Sequence, residues 1–201
     1  MRWAARPARF WAASAALVPL AVVAGVALLL IMWVMALFNG LVRVRNACDE
    51  SWSDIDTELR RRYDLIPNLV ESVKGYATHE REVFERVIQA RNTAVANHGS
   101  PAAQATDENA LAGGLRQLFA LAENYPDLKA NQNFLKLQEE LANTEDRLQR
   151  ARRFYNANVR DLNNRIEVFP SNFVAQSFAF QKREYFEIDD PAVRQTPAVK
   201  F

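Results

Sequence analysis

The side chains best suited to chemistry are three clustered acids, Asp49, Asp54 and Asp56, and a histidine beside a glutamate, His79-Glu80. Asp49 and Asp56 are seven residues apart and share one face of a helix, while Asp54 points elsewhere. Carboxylates brought together from two helices can hold a hard cation such as Ca²⁺ or Mg²⁺. The plainer expectation is ion pairing with Arg45, Arg61, Arg147 or Arg152. His79-Glu80 opens like a zinc protease motif, but Val83 stands where HExxH needs its second histidine. Neither His79 nor His98 has a glutamate three residues before it, so the paired Glu-x-x-His of a di-iron bundle is missing too. No Gly-rich phosphate loop or nucleophile elbow occurs. The reading is a chain with no catalytic residue, no metal ligand and no cofactor, in which His79 bonds locally in the first turn of a helix.

These residues follow a run without a single charge, Phe10 to Phe38, that ends at Asn39-Gly40. At ~1.5 Å rise per residue the run makes a helix of roughly 43 Å, more than the ~30 Å hydrocarbon core requires. A signal peptide would have an apolar region of about 7–15 residues followed by small ones. Here Leu17–Met35 is about twice too long for that role, and Trp33, Met35, Leu37 and Phe38 occupy the end. Trp3, Trp11 and Trp33 lie where aromatic rings sit among headgroups. The run is therefore read as a retained single-pass transmembrane helix, after a basic segment at 1–9. Cys48 follows Arg45-Asn46-Ala47 rather than the run, which argues against a lipid-modified cysteine. A lone cysteine also allows no internal disulfide.

Arg2, Arg6 and Arg9 precede the span without acids, whereas Arg43 and Arg45 beyond it meet Asp49 and Glu50. Positive charge near a span stays cytoplasmic, so residues 39–201 are expected outside. Arg43 and Arg45 are membrane-proximal and placed to touch lipid headgroups. Removing the three N-terminal arginines from the formal charge of +1 leaves residues 39–201 at −2. That is a poor balance for nucleic acid, whose binding needs clustered Lys/Arg.

Beyond Gly40 the pattern is helical. Leu41, Val44, Cys48, Trp52, Ile55, Leu59, Tyr63, Ile66 and Val70 repeat in steps of 3, 4, 4. Eleven residues in about three turns predict a nearly straight helix. Pro67 falls inside it and predicts a kink or a new start. Thr78 is a cap for a helix beginning at His79-Glu80, and Ser100–Asp107 reads as a loose loop. A shorter helix carries Leu111, Leu115, Leu118 and Leu121/Ala122, with Gly113-Gly114 as a close approach or a break, and Tyr125-Pro126 ends it. Phe134, Leu141, Leu148, Tyr155, Leu162 and Phe169 then recur every seven residues, with Asn131 or Asn133 as cap and Pro170 as stop. The expected fold is all-α: the transmembrane helix, then an elongated antiparallel bundle over 41–169 with long first and last helices.

Asn68, Glu71, Asn133, Gln138, Asn156 and Asn158 lie on or beside the seams and are expected to fix register through interhelical hydrogen bonds. With Asn46, Asp49, Asp54, Asp56, Arg61, His79 and Arg152 they are the polar candidates for structure or interaction. Residues 170–201 are rich in aromatics and read as a strap folded back over the bundle. The alternative is a docking peptide whose contacts are Pro197, Val199 and Phe201.

Several stretches together resemble the LemA family: Arg45-Asn46, Asp49, Trp52 and Asp54-Ile55-Asp56; RRYDLIPNLVESVKGYATHE (61–80); and Ala90-Arg91. They continue as Glu123–Lys129, Asn133-Phe134, TEDRLQRARRFYNANV (144–159), Phe169-Pro170-Ser171 and Pro197–Phe201. The resemblance covers nearly all of residues 43–201. Cys48 departs from it, standing where the family more often has an aliphatic residue, and the Trp/Arg extension at the N-terminus is longer than usual. The resemblance implies a bacterial membrane protein with an elongated helical domain and no established biochemical activity. It also implies a link, for some members, to building specialised membranes such as magnetosomes. For some members it implies an extracellular N-terminus, opposite to the charge rule above. The function expected is a membrane-anchored scaffold or adaptor with membrane lipids and proteins as partners and self-association as a further property. The alternative is an accessory or sensor subunit of a membrane enzyme such as a peptidase.

Overall fold

The computed structural model describes residues 8–187, with side chains from residue 19 onward. Arg2, Arg6, Trp3, the side chains of Arg9 and Trp11, and the C-terminal candidates Pro197, Val199 and Phe201 lie outside that description. The described chain is all helical, without strands: α1 (Ala8–Lys74), α2 (Arg81–Ala96), α3 (Pro101–Ala122), α4 (Pro126–Lys129), α5 (Gln132–Glu167) and α6 (Ser171–Ser177).

The apolar run and the first bundle helix are one element. α1 has 67 residues, ~100 Å at 1.5 Å per residue, and passes through Gly40 without a break. Its stretch from Pro19 to Ala36 is exposed on every side and is long and apolar enough to cross a membrane. From Leu41 the expected seam turns inward. Leu41, Cys48, Ile55, Leu59, Tyr63, Ile66 and Val70 are buried, and Val44 and Trp52 pack partly buried against them. Gly40 is itself buried, because a Cβ there would already stand 3.4 Å from the Arg165 guanidinium of α5.

Of the two outcomes expected at Pro67, a kink or a new start, the new start does not occur: α1 runs through it as one helix. A proline leaves the carbonyl four residues earlier without its helical donor. That carbonyl belongs to Tyr63, and Arg91 Nε of α2 donates to it at 3.1 Å. Ile66, Leu69, Val70 and Val73 are buried on both sides of the proline and hold the helix together.

α5 runs antiparallel to α1 along the bundle, from Asn131 Nδ2 on Tyr76 Oη (3.0 Å) at the far end to Arg165 at Gly40. Asn131 caps it, accepting from Asn133 N and Phe134 N. Its heptad seam is buried at Phe134, Leu141, Leu148, Tyr155 and Leu162, but the last member, Phe169, lies past the helix end and is exposed. The α2–α3 hairpin covers the far half of the α1–α5 pair. Gly114 brings the hairpin's helices together, since its missing Cβ would lie 3.3 Å from Val87 Cγ2, whereas Gly113 faces open space.

Two boundaries differ from the sequence reading. α2 starts at Arg81 with Glu80 as N-cap and no side-chain cap. Ala77 is buried, its N–H donating to Val73 O at 3.0 Å, so the chain is still turning where Thr78 would cap. Residues 100–107 are not a loop but the first two turns of α3. Ser100 is the N-cap and Pro101 takes the first helical position, where its missing N–H costs nothing. The helix was hidden because its inward positions there are Gln104, Ala105 and Glu108 rather than aliphatic residues.

Candidate functional site

Where α1, α3 and α5 meet, the apolar core is interrupted by a polar network. Glu108 is fully buried, and Arg62 is 3% exposed. Arg62 Nη1 stands 3.2 Å from Glu108 Oε2 and 3.5 Å from Glu145 Oε2 of α5. Tyr63 Oη donates to the other oxygen, Glu108 Oε1. The amide of Gln104, one turn earlier on α3, lies 3.0 Å from Tyr63 Oη, 3.2 Å from Glu108 Oε1 and 3.1 Å from Ala94 O. Burial pushes the Glu108 carboxyl up, against the lowering pull of Arg62 and of the Tyr63 and Gln104 donors. Burial also pushes the Tyr63 hydroxyl up, with the Glu108 charge adding to it. Arg62 Nε has no partner, so the network is not fully satisfied.

Tyr63 and Gln104 form the floor of a cleft of about 550 Å³ between α1 and the α2–α3 corner. Its walls include Trp52, Asp56, Arg60, Val95, Asn97 and His98. Polar, apolar and aromatic groups line it together. Among the described residues no group of three or more His, Cys, Asp or Glu gathers as metal ligands would.

A second polar set fixes the C-terminal segment. After α6 the chain runs back along the α1–α5 groove, away from the span. Asn163 accepts from Arg183 N at 2.9 Å and donates to Arg183 O at 3.0 Å. Asn156 repeats the same two-way pairing with Phe186, at 2.9 and 3.0 Å. Tyr155 Oη donates to Glu184 O at 3.0 Å, and burial pushes that hydroxyl up to about 12. Phe186 is fully buried, edge-on to Trp52 at 5.5 Å. Residues 181–187 thus attach to α5 through an asparagine ladder, as an added strand would attach to a sheet edge.

The sequence candidates fall into separate places. Asn156 is a rung of the ladder, and Asn158 Nδ2 donates to Ala47 O and Ser51 Oγ of α1, both at 3.2 Å. Asp49 pairs with Arg183 at 2.6 Å and Asp56 with Arg60 at 2.9 Å, so neither acid takes the arginines first expected. Asn46, Asp54 and Arg61 are exposed. Asn68 and Glu71 face solvent, Glu71 beside Lys74, because the seam passes through Ile66, Leu69, Val70 and Val73. Asn133 and Gln138 face solvent too. His79 is exposed and precedes α2 rather than standing in its first turn. Arg152 is half-buried and donates to Gln149 at 2.6 Å. Arg43 donates to Asn39 O at 3.3 Å, and the Arg45 guanidinium lies over the Phe180 ring at 5.5 Å.

Glu108, Gln104 and Asn163 were not among the sequence candidates. The spacing could have found the first two, because the seam Leu111, Leu115, Leu118, Ala122 extended backwards in helical steps lands on Glu108 and Gln104.

The chain is 27% identical over 155 residues to Protein LemA of Metamycoplasma hominis, covering 76% of this chain and 69% of that one. It is 26% identical over 193 residues to Magnetosome protein MamQ 2 of Paramagnetospirillum magneticum, covering 84% and 69%. It is 24% identical over 174 residues to Magnetosome protein MamQ of Magnetospirillum gryphiswaldense, covering 74% and 64%. These relatives and the exposed apolar stretch of α1 support a membrane-associated helical protein. The LemA family pattern itself matches residues 51–201, from the middle of α1 through the asparagine-bound segment and beyond, and the chain belongs to the LemA family.

Proposed function

We propose that this protein is a membrane-anchored helical scaffold or adaptor, without catalytic activity of its own, that organises or remodels membrane-associated assemblies. One observation carries the reading: span and bundle share the single helix α1, and α5 packs against its junction at Gly40. A swivelling tether would have a break there. A continuous strut instead presents the bundle to partners at a set height and angle. The printed names of the MamQ relatives, which are magnetosome proteins, support an assembly role at a specialised membrane. The bundle sits on the periplasmic side of the inner membrane, Arg43 and Arg45 lie at headgroup height, and copies associate with one another and with protein partners.

Chemical crosslinking of the full chain in native membranes tests the assembly. Species larger than the monomer are the expected result, and an isolated monomer at every crosslinker length overturns it. The cleft at Trp52 and His98 supports a second reading, an accessory or sensor subunit of a membrane enzyme such as a peptidase. Deleting Gln195–Phe201 separates the two. Loss of one partner with the fold intact favours docking, and loss of the fold favours a structural tail.

A further inference from the structure

We infer that the corner joining α5 to α6 is a second membrane contact, which dips into the same leaflet from which α1 emerges. This inference rests on the reading of α1 as a membrane span.

The heptad of α5 ends outside the bundle. Val168 is 58% exposed, Phe169 72%, Phe173 63% and Phe178 55%. Phe169 and Phe173 stack edge to face at 6.0 Å, so they form one patch rather than scattered apolar residues. Exposed aromatics at this density are not left in water by a soluble surface. Their height is fixed by α6. Val174 and Ala175 are buried against Leu41, with Leu37, Phe38, Ile166 and Phe180 packed around them. The Phe178 ring lies 4.7 Å from that of Phe38, the last apolar residue before Asn39-Gly40. Taking Phe38 as the end of the ~30 Å hydrocarbon core puts its other face ~20 residues back, at Pro19, and sets Trp33 deeper than the headgroup position first read for it. The patch therefore stands at the interfacial level, where aromatic rings partition.

The charges around it fit the same surface. Arg45, over the Phe180 ring, and Lys182, paired with Glu167, stand beside the corner, at headgroup height above the ring level. The occupant is the lipid that already surrounds α1, because the patch is continuous with the apolar surface of the span through Leu37 and Phe38. Two contacts, the span and the corner, fix the rotation of the bundle about the membrane normal as well as its attachment.

Spin labels on the full chain in phosphatidylethanolamine/phosphatidylglycerol vesicles test this. Cys48 is buried, so the unsubstituted protein serves as the labelling blank. Phe169→Cys and Phe173→Cys are two independent reporters at exposed sites. Val26→Cys marks the span and Thr78→Cys the far, aqueous end. Expected is a ratio of oxygen to nickel-chelate collision at 169 and 173 that is several-fold above that at 78 and approaches that at 26. An aqueous ratio at 169 and 173 with a lipid ratio at 26 overturns this inference alone. Strong spin–spin broadening without oxygen access also overturns it, in favour of a second copy of the chain. An aqueous ratio at 26 overturns the anchor itself.

Discussion

A buried arginine cannot give up its proton, so Arg62 obliges the core to supply a counter-charge, and Glu108 is the one fully buried acid beside it. Breaking such a pair costs more than the pair is worth, because the remaining charge stays buried. Arg62→Ala should therefore destabilise the protein by about 3–5 kcal/mol near pH 8. The loss should depend on pH. Removing Arg62 takes away the main influence lowering the Glu108 carboxyl, which then rises further above its ordinary 4.5. A folded state that holds a proton more tightly than the unfolded chain loses stability as pH rises through that interval. The variant should lie closer to the parent near pH 4.5 than near pH 8, and Glu108→Gln should restore part of the loss at pH 8. Denaturant titrations of the full chain in detergent at both pH values decide it, and an equal loss at both would refute the scheme.

At the scale of elements, the sequence announced what was apolar and concealed what was polar. The seams of α1 and α5 were legible because aliphatic and aromatic residues repeat at helical spacing. The start of α3 was not, because Gln104 and Glu108 fill core positions with polar atoms and make a helix look like a loop. That Pro67 starts no new helix was hidden for a related reason. Its cost is local, whereas the remedy comes from Arg91, 28 residues beyond the freed Tyr63 carbonyl. Arg91→Ala should leave a half-buried carbonyl unsatisfied and cost about 1–3 kcal/mol. Pro67→Ala restores the N–H that this carbonyl lacks. In the Pro67→Ala background the cost of Arg91→Ala should shrink by about half or more. A double-mutant cycle of unfolding free energies measures the coupling, and strict additivity would show that Arg91 acts by some other contact.

At the scale of the whole molecule, the question is whether the bundle stands or swings. The packing of α6 on Leu37 and Phe38 braces the base of α1, and Gly40 is helical and buried under Arg165. From Phe38 to the far end of α1 the strut is ~54 Å at 1.5 Å per residue. A donor dye on Thr78→Cys should therefore transfer little energy to acceptors on lipid headgroups, while one on Arg43→Cys, at the base, should transfer strongly. Inserting a flexible Gly-Ser segment after Asn39 cuts the rod without touching the bundle core. Transfer from position 78 should then rise, because the bundle can now reach the surface. Strong transfer from position 78 in the uncut protein would mean that the bundle lies along the membrane, and the strut would have to be given up as the basis of function.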